Sequence, residues 1–490
     1  MRALSKRLDY LFRSTRGLTL VGIAVVSIIT AIFGTLSGPM VEWGIKDITV
    51  RLLGMKLVEA EREGRIIMLY HTIAMTIVAI EVYFMTAMLP MKRYEQLVIN
   101  ATITFGYLTT VIFGLLFAYW GHYFVFHGLF LLGLSLVFFA GILLAAALWP
   151  WRKEYLLEKD SSYAKTKKGV DLERVAFFVM AVATLLSATF GAVTGSYWGN
   201  GHETFLAEDL IRIPQKTVLQ KAIIGHLHIM LTLIAVALTL IVGRWMKFKG
   251  ILHRIALPLM IWGTIIITAG ALSVVWVAWA HTIIYFGSVF VMLAALMYVI
   301  YSWDMLIKEG TAGIKKPSGW QKFKALLRDP LKFGPGWQMV FMNFTVSGIG
   351  IFMAIRLDEI FRVWPAREER IELTGHWHVL SAIIATIILL YYGDMLGLKG
   401  KIRQWYGWSI IVLSDIAFGS VTIFEMKRLF IAEAVQQPLV NTLMYLMDFG
   451  LGMLLVILAM VMIWRLFDLF RKKGRWTEEV EHELSAEVNQ

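Results

Sequence analysis

Cysteine is absent from all 490 residues, which excludes disulfides, thiolate-held iron–sulfur clusters and cofactors attached through thioether bonds. Charge is scarce as well. Asp, Glu, Lys and Arg make up 17% of the chain against 58% hydrophobic residues, and mean hydropathy is +0.67. Soluble domains carry about a quarter charged residues, so this composition excludes an ordinary water-exposed globule. Of the two signs, acid is the rarer: 35 acidic residues face 47 basic ones, leaving +12. Proline is sparse too, with ten residues in the whole chain, so long stretches are free to run unbroken as helix.

Those stretches are apolar. Runs of the roughly 17–25 residues that cross a bilayer fall near 18–38, 68–89, 98–119, 124–149, 175–196, 222–243, 255–280, 282–303, 338–355, 374–395, 406–424 and 440–466. Twelve spans predict an all-α polytopic membrane protein, a single membrane domain over 1–490 with both termini on one side. The first run follows Arg2, Lys6, Arg7, Arg13 and Arg16 and lacks a small-residue cleavage pattern, so it reads as a retained helix and not a signal peptide. The termini and alternate loops (90–97, 150–174, 244–254, 304–337, 396–405, 467–490) hold more than twice as many Lys and Arg as the opposite loops. By the positive-inside rule this predicts a cell (inner) membrane protein with both termini cytoplasmic. The net charge is then a topology signal with some pull on anionic lipid, and no nucleic-acid partner is expected.

Histidine is the polar residue that stands out against this background. Two runs open alike, Gly225-His226-Leu227-His228 and Gly375-His376-Trp377-His378. Successive helical residues turn about 100°, so positions i and i+2 face nearly opposite sides and serve two different sites. Ionisable side chains within a membrane are costly and mark function, and imidazole is the commonest metal ligand. Helix-head histidines of this kind predict a carrier of haem or metal.

The spans also repeat. Segments of about 150 residues (17–150, 174–303 and 338–466, with 467–490 as a charged tail) each read as helix, outer loop, helix opening on histidine, inner loop, helix, helix. The histidine-opened helices begin Leu69-Tyr70-His71, His226-Leu227-His228 and His376-Trp377-His378, and two landmarks match, Tyr119-Trp120-Gly121-His122 and Ala278-Trp279-Ala280-His281. Matched landmarks at a long period predict a quasi-threefold ring of 3 × 4 helices. His71, His122, His226, His228, His281, His376 and His378 then share one membrane layer. His127, His202, His253 and His482 are expected at interfaces, in solvent or in the tail.

These residues resemble subunit I of the haem-copper oxidase superfamily, which spans oxygen reductases and the large subunit of nitric oxide reductases. The resemblance covers essentially the whole chain and rests on Gly375-His376-Trp377-His378-Val379-Leu380-Ser381, Gly225-His226 and Trp279-Ala280-His281, with weaker support from Tyr301-Ser302-Trp303 and Lys427-Arg428. It implies two b-type haems, a high-spin one on His376 and a low-spin one between His71 and His378. It further implies a non-haem copper or iron on His226 and His281 and a propionate clamp at Lys427 and Arg428; in an electron-transfer descendant of the family, His376 and either His226 or His228 would instead share one haem. There are departures. Thr282 follows His281 where the family has a second histidine, Met230 stands where oxygen reductases place a cross-linked tyrosine, and no acidic residue neighbours His226. Val299 replaces a channel lysine, and the acidic channel entrance before Pro90 is missing.

Two functions stay open. The resemblance implies an oxidoreductase that passes electrons from the low-spin haem to the second haem–metal centre and reduces NO or O2. The departures favour a bis-histidine electron-transfer subunit working with quinone or a partner protein. A transporter built from repeats is a third reading, against which the His-x-His helix heads speak. An electron-donor subunit or quinol, within a multi-subunit respiratory complex, is the expected partner, and outer-loop charges (Arg356, Arg362, Arg367, Arg370, Glu203, Glu208, Asp209) are candidates for docking it. Glu81, Asp415 and Asp448 lie inside apolar runs and are read either as a proton path or as hydrogen bonds to neighbouring helices.

Overall fold

The computed structural model describes residues 8, 10–37, 41, 43–58, 62–195, 217–356 and 366–470, with the backbone alone described at 37, 62–63, 345, 366–378, 428, 433 and 468–470. Among these residues the chain is helical and contains no named strand, only an isolated bridge between Lys165 and Asp171. The all-α expectation holds. Eleven helical stretches are long and apolar enough to cross a membrane, and Val379–Met395 is a shorter apolar stretch. Large apolar side chains such as Phe105, Ile112, Phe286, Ile300 and Ile463 face outward, the surface a lipid-embedded bundle needs.

The first five helices are α1 (Thr15–Ser37), a short α2 (Ile45–Leu53), α3 (Arg62–Met88), α4 (Arg93–Trp120) and α5 (Phe124–Ala147). Next come α6 (Leu172–Val193), α7 (Val218–Trp245), α8 (Ile251–Ser273) and α9 (Ala280–Gly310). The last six are α10 (Gly319–Leu326), α11 (Pro330–Phe341), α12 (Ile349–Ile355), α13 (Ala366–Met395), α14 (Gly400–Phe430) and α15 (Glu433–Phe470). The starts of several are written in side chains. Asp171 and Asp329 accept from backbone N–H groups at the heads of α6 and α11, and Thr217 with Gln220 closes a capping box on α7, each satisfying N–H groups that the first turn leaves orphaned. Between α11 and α12 the chain winds as a π-helix over Met342–Gly348. The predicted span 338–355 is thus the second part of a longer unit that begins at Pro330.

The helices pair in a recurring way. α4 with α5, α8 with α9, and α14 with α15 are among the most extensive contacts, while α3 packs on α7, α7 on α13, and α15 returns to α1. Glycine lets the outer pairs close. A Cβ at Gly133 would lie 2.5 Å from the backbone nitrogen of Thr110, one at Gly287 2.9 Å from that of Ile267, and one at Gly450 2.6 Å from the carbonyl of Leu413. Small residues are what allow membrane helices to approach so nearly. Gly133→Val is therefore expected to force α4 and α5 apart and to cost about 1–3 kcal/mol; thermal unfolding in detergent measures it.

α7 and α13 also share a sequence register. Shifting by 150 residues aligns Gly225, His226 and His228 with Gly375, His376 and His378, Ile234 and Ala235 with Ile384 and Ala385, and Gly243, Lys249 and Gly250 with Gly393, Lys399 and Gly400. Gly250 and Gly400 follow their helices at φ of +88° and +59°, a left-handed setting that glycine takes without steric cost.

The two ends of the bundle differ sharply. Several ion pairs lie at the end opposite the histidines: Arg152 with Glu95 and Glu154, Arg244 with Glu173, Lys308 with Asp304, and Arg403 with Asp329 and Asp394. Arg174 reaches across the same end to the carbonyls of Pro90 and Ala147. His253 belongs here too. It was expected at an interface or in solvent, but it is fully buried and its Nδ1 accepts from the Ala164 N–H, pinning the 156–171 connection onto α8.

Candidate functional site

The opposite end of the bundle is where the imidazoles gather. α3, α7 and α13 all begin there, and α4, α6, α8 and α14 end there. His71 sits in the third turn of α3, and His226 and His228 in the third turn of α7. The side chains of His376 and His378 lie outside the described residues, as does that of Arg428. His202, His482, Glu203, Glu208, Asp209, Arg362 and the 471–490 tail are outside them altogether, and Arg367 and Arg370 are described in backbone only.

Three imidazoles are held in one manner. Nδ1 of His71 meets the carbonyl of Ile67 at 2.8 Å, Nδ1 of His226 that of Ser187 at 3.0 Å, and Nδ1 of His228 that of Ile224 at 2.8 Å. A carbonyl only accepts, so each Nδ1 carries the proton and donates. The remaining nitrogen, Nε2, then holds the lone pair. This is the arrangement in which an imidazole is oriented as a metal ligand, its other N–H fixed by a carbonyl. His253 shows the contrast: its Nδ1 accepts from a backbone N–H, so its proton sits on Nε2 and it is a packing histidine.

The rings of His71 and His226 lie 6.4 Å apart between centroids with an interplanar angle of 21°. His226 also fills the space beside Gly191 on α6, where a Cβ would fall 2.4 Å from its Cε1. His228 turns back to the Ile224 carbonyl of its own helix, whereas His226 reaches the Ser187 carbonyl on α6. The two histidines of the α7 pair therefore face different neighbours, as the i, i+2 spacing requires. His281 is exposed at the head of α9, 6.4 Å from the Tyr285 ring. Among the described residues no three His, Asp or Glu side chains converge at metal-ligand distance.

Aromatic rings surround the first unit's histidines. His71 meets Phe130 edge-on at 6.4 Å, and Phe117 stacks on His122 at 4.5 Å and on His127 at 5.0 Å. His122 is exposed and His127 half-buried, so these two sit at the rim of the layer.

Two cations at this end escaped a reading by loops. Lys427 is 1% exposed, inside the last turn of α14, its Nζ 3.9 Å from the Phe424 ring and 3.4 Å from the Phe424 carbonyl. It was expected after the helix; α14 instead runs on to Phe430. Arg65 is buried in the first turn of α3 and donates to the carbonyl of Val58. The apolar run near 68–89 leaves it outside the span, whereas the helix begins at Arg62. Glu425 is buried on α14 near Lys427 and was likewise missed, because a single carboxylate two residues from a lysine looks like an ordinary helix end.

The intramembrane carboxylates separate into two kinds. Asp415 accepts from Nε1 of Trp337 at 2.9 Å through each oxygen, so it ties α14 to α11. Glu81 is 2% exposed, and its Oε1 has no hydrogen-bond partner among the described residues. Oδ2 of Asp448 is in the same state. Glu81 lies ten residues beyond His71, about 15 Å down the helix.

Haem fits the chemistry of these donors. The layer offers neutral imidazole lone pairs already oriented by backbone carbonyls, buried cations suited to carboxylate side groups, and an aromatic lining. One prediction tests the cradle. Gly191→Ala places a methyl group inside the His226 ring, so it is expected to displace the imidazole and change any spectrum in which His226 takes part, with the fold retained. A visible absorption spectrum of the purified variant reads this directly.

Comparison with family models, with curated proteins and with solved structures finds no match for this chain.

Proposed function

We propose that this chain is a haem-bearing integral membrane oxidoreductase whose histidine layer carries electrons. The observation that supports it most is the shared treatment of His71, His226 and His228: three half-buried imidazoles near one membrane face, each with Nδ1 spent on a carbonyl and Nε2 left as a donor. Packing histidines have no need of a common tautomer. A bound haem supplies a one-electron couple that the side chains alone lack.

The chain's own groups have separate tasks in this reading. The carbonyls of Ile67, Ser187 and Ile224 fix the tautomers and stiffen the rings. Lys427, with Arg428 beside it in sequence, neutralises a haem propionate, a contact that favours a buried ammonium. Phe130 and Phe117 exclude water from the layer. In this reading α13 is a twelfth span, the basic loops and both termini are cytoplasmic by the positive-inside rule, and the histidines lie toward the outer leaflet of the cell membrane. Electrons arrive from quinol or from a donor subunit.

The electron-transfer form of this proposal is favoured over gas reduction by where His226 points: it meets His71, not His281. Reduction of NO or O2 remains the second reading, supported by the exposure of His281 at the head of α9. A carbon monoxide difference spectrum of the dithionite-reduced protein separates them. An unshifted Soret band is expected, as six-coordinate iron gives; a shifted band moves the assignment to gas chemistry. A purified protein without haem sinks both.

A further inference from the structure

We infer that His71 and His226 are the two axial ligands of a single haem iron set between α3 and α7, so that His226, and not His378, is the partner of His71. This rests on the proposed haem function and changes what the family resemblance implies for both residues.

The geometry is specific. Two imidazoles on opposite sides of one metal, with metal–nitrogen bonds of about 2.0 Å and each nitrogen about 1.1 Å from its ring centre, place their centroids about 6.3 Å apart. The observed separation is 6.4 Å. Offset stacking of two rings also occurs at such distances, but it asks nothing of the nitrogens. Here both rings have the same nitrogen occupied by a carbonyl, and that leaves Nε2 as the donor on each.

The supports come from different helices. His71 is fixed by its own helix through Ile67, while His226 is fixed across the α6–α7 contact by Ser187. Gly191, one turn beyond Ser187 on α6, leaves the space that the His226 ring occupies. α6 thus holds the His226 ring from two sides, by a hydrogen bond and by an omitted side chain. His228, two residues on, turns its Nδ1 to the Ile224 carbonyl of its own helix, and the i, i+2 spacing sets it on a different side of α7 from His226. The pairing therefore uses one histidine from each of two neighbouring inner helices that pack directly on one another.

The angle between the planes adds a second signature. At 21° the rings are close to parallel, and parallel axial imidazoles give a rhombic low-spin ferric EPR signal, whereas crossed planes give a single strongly anisotropic feature.

The test uses the full-length protein, purified with its haem, and four single variants. H71A and H226A are each expected to abolish the rhombic signal, and H378A to keep it. H226M keeps an iron ligand at the same place, so it is expected to retain low-spin haem at a raised reduction potential; it guards against loss of the signal through misfolding. Survival of the signal in H226A overturns the pairing, and so does its loss in H378A alone or a wild-type signal of the crossed type. These outcomes leave the haem reading standing. Absence of haem from the wild-type protein removes both together.

Discussion

Replacing Arg403 by alanine is expected to cost about 3 kcal/mol of stability, the scale of removing one partner from a buried charge cluster. Arg403 sits in the first turn of α14 and grips Asp329 with both arms, Nε to Oδ1 at 2.9 Å and Nη2 to Oδ2 at 2.8 Å. The same Nη2 reaches Asp394 on α13 at 2.6 Å, and the other oxygen of Asp394 accepts from Nε1 of Trp245 on α7 at 2.7 Å. One guanidinium thus ties α14 to the N-cap of α11, to α13 and through it to α7. All three charged side chains are less than a third exposed, so solvent screens the cluster poorly. Without the arginine, two carboxylates share a site with no cation between them. Lysine at 403 keeps the charge but not the planar fork, so R403K should recover part of the loss and leave the protein measurably less stable than wild type. Thermal unfolding in detergent, followed by circular dichroism, gives both values; equal midpoints for R403A and wild type would remove the clamp from the account.

That cluster lay in plain sight in the sequence and was not legible there. Hydropathy located the spans because a bilayer imposes length and apolarity on each helix separately, and those are local properties. Loop charge predicts one basic face, and Arg152, Arg244 and Arg403 form ion pairs at that end. What hydropathy could not supply is which charges at a helix end are paired: Asp329, Asp394 and Arg403 come from three segments, and only packing brings them together. The same limit explains Lys427 and Arg65. Both lie outside the apolar runs, and hydropathy sets Lys427, for which the resemblance implies a clamp role, after its helix, while α14 continues past the apolar run and buries the lysine. Pro330, read as loop, opens a helix because proline suits the first helical turn.

The site was half legible. Two histidines at i and i+2 must face apart, and His226 and His228 do have different neighbours. Which neighbour each has is a matter of helix rotation, and the resemblance to haem-copper oxidases could not fix it. His226 is turned by Ser187 and admitted by Gly191, and neither residue carries any sequence signal: one contributes a backbone carbonyl, the other an absent side chain. His253 misled for a related reason, since a buried histidine and an interfacial one look alike in a sequence until the loop it clasps is known.

The strongest consequence of the pairing is that removing both histidines should do no more harm to haem binding than removing one. If His71 and His226 each bound separate cofactors, H71A and H226A would each remove a separate signal, and the double variant would lose the sum. If they bind one iron, either substitution already destroys the six-coordinate site, and the second finds nothing left to break. Residues that act as a unit show this non-additivity, and a double-mutant cycle measures it. The expected result is complete loss of the rhombic low-spin signal in H71A, in H226A and in the double variant, with the same residual haem-to-protein ratio in all three. A double variant with clearly less haem than either single would show two independent sites, and His226 would return to the second-metal role that the resemblance implies. The cycle also reports on His228. It stays in place throughout, so any haem that persists in the double variant is held by His228 or by the histidines of α13.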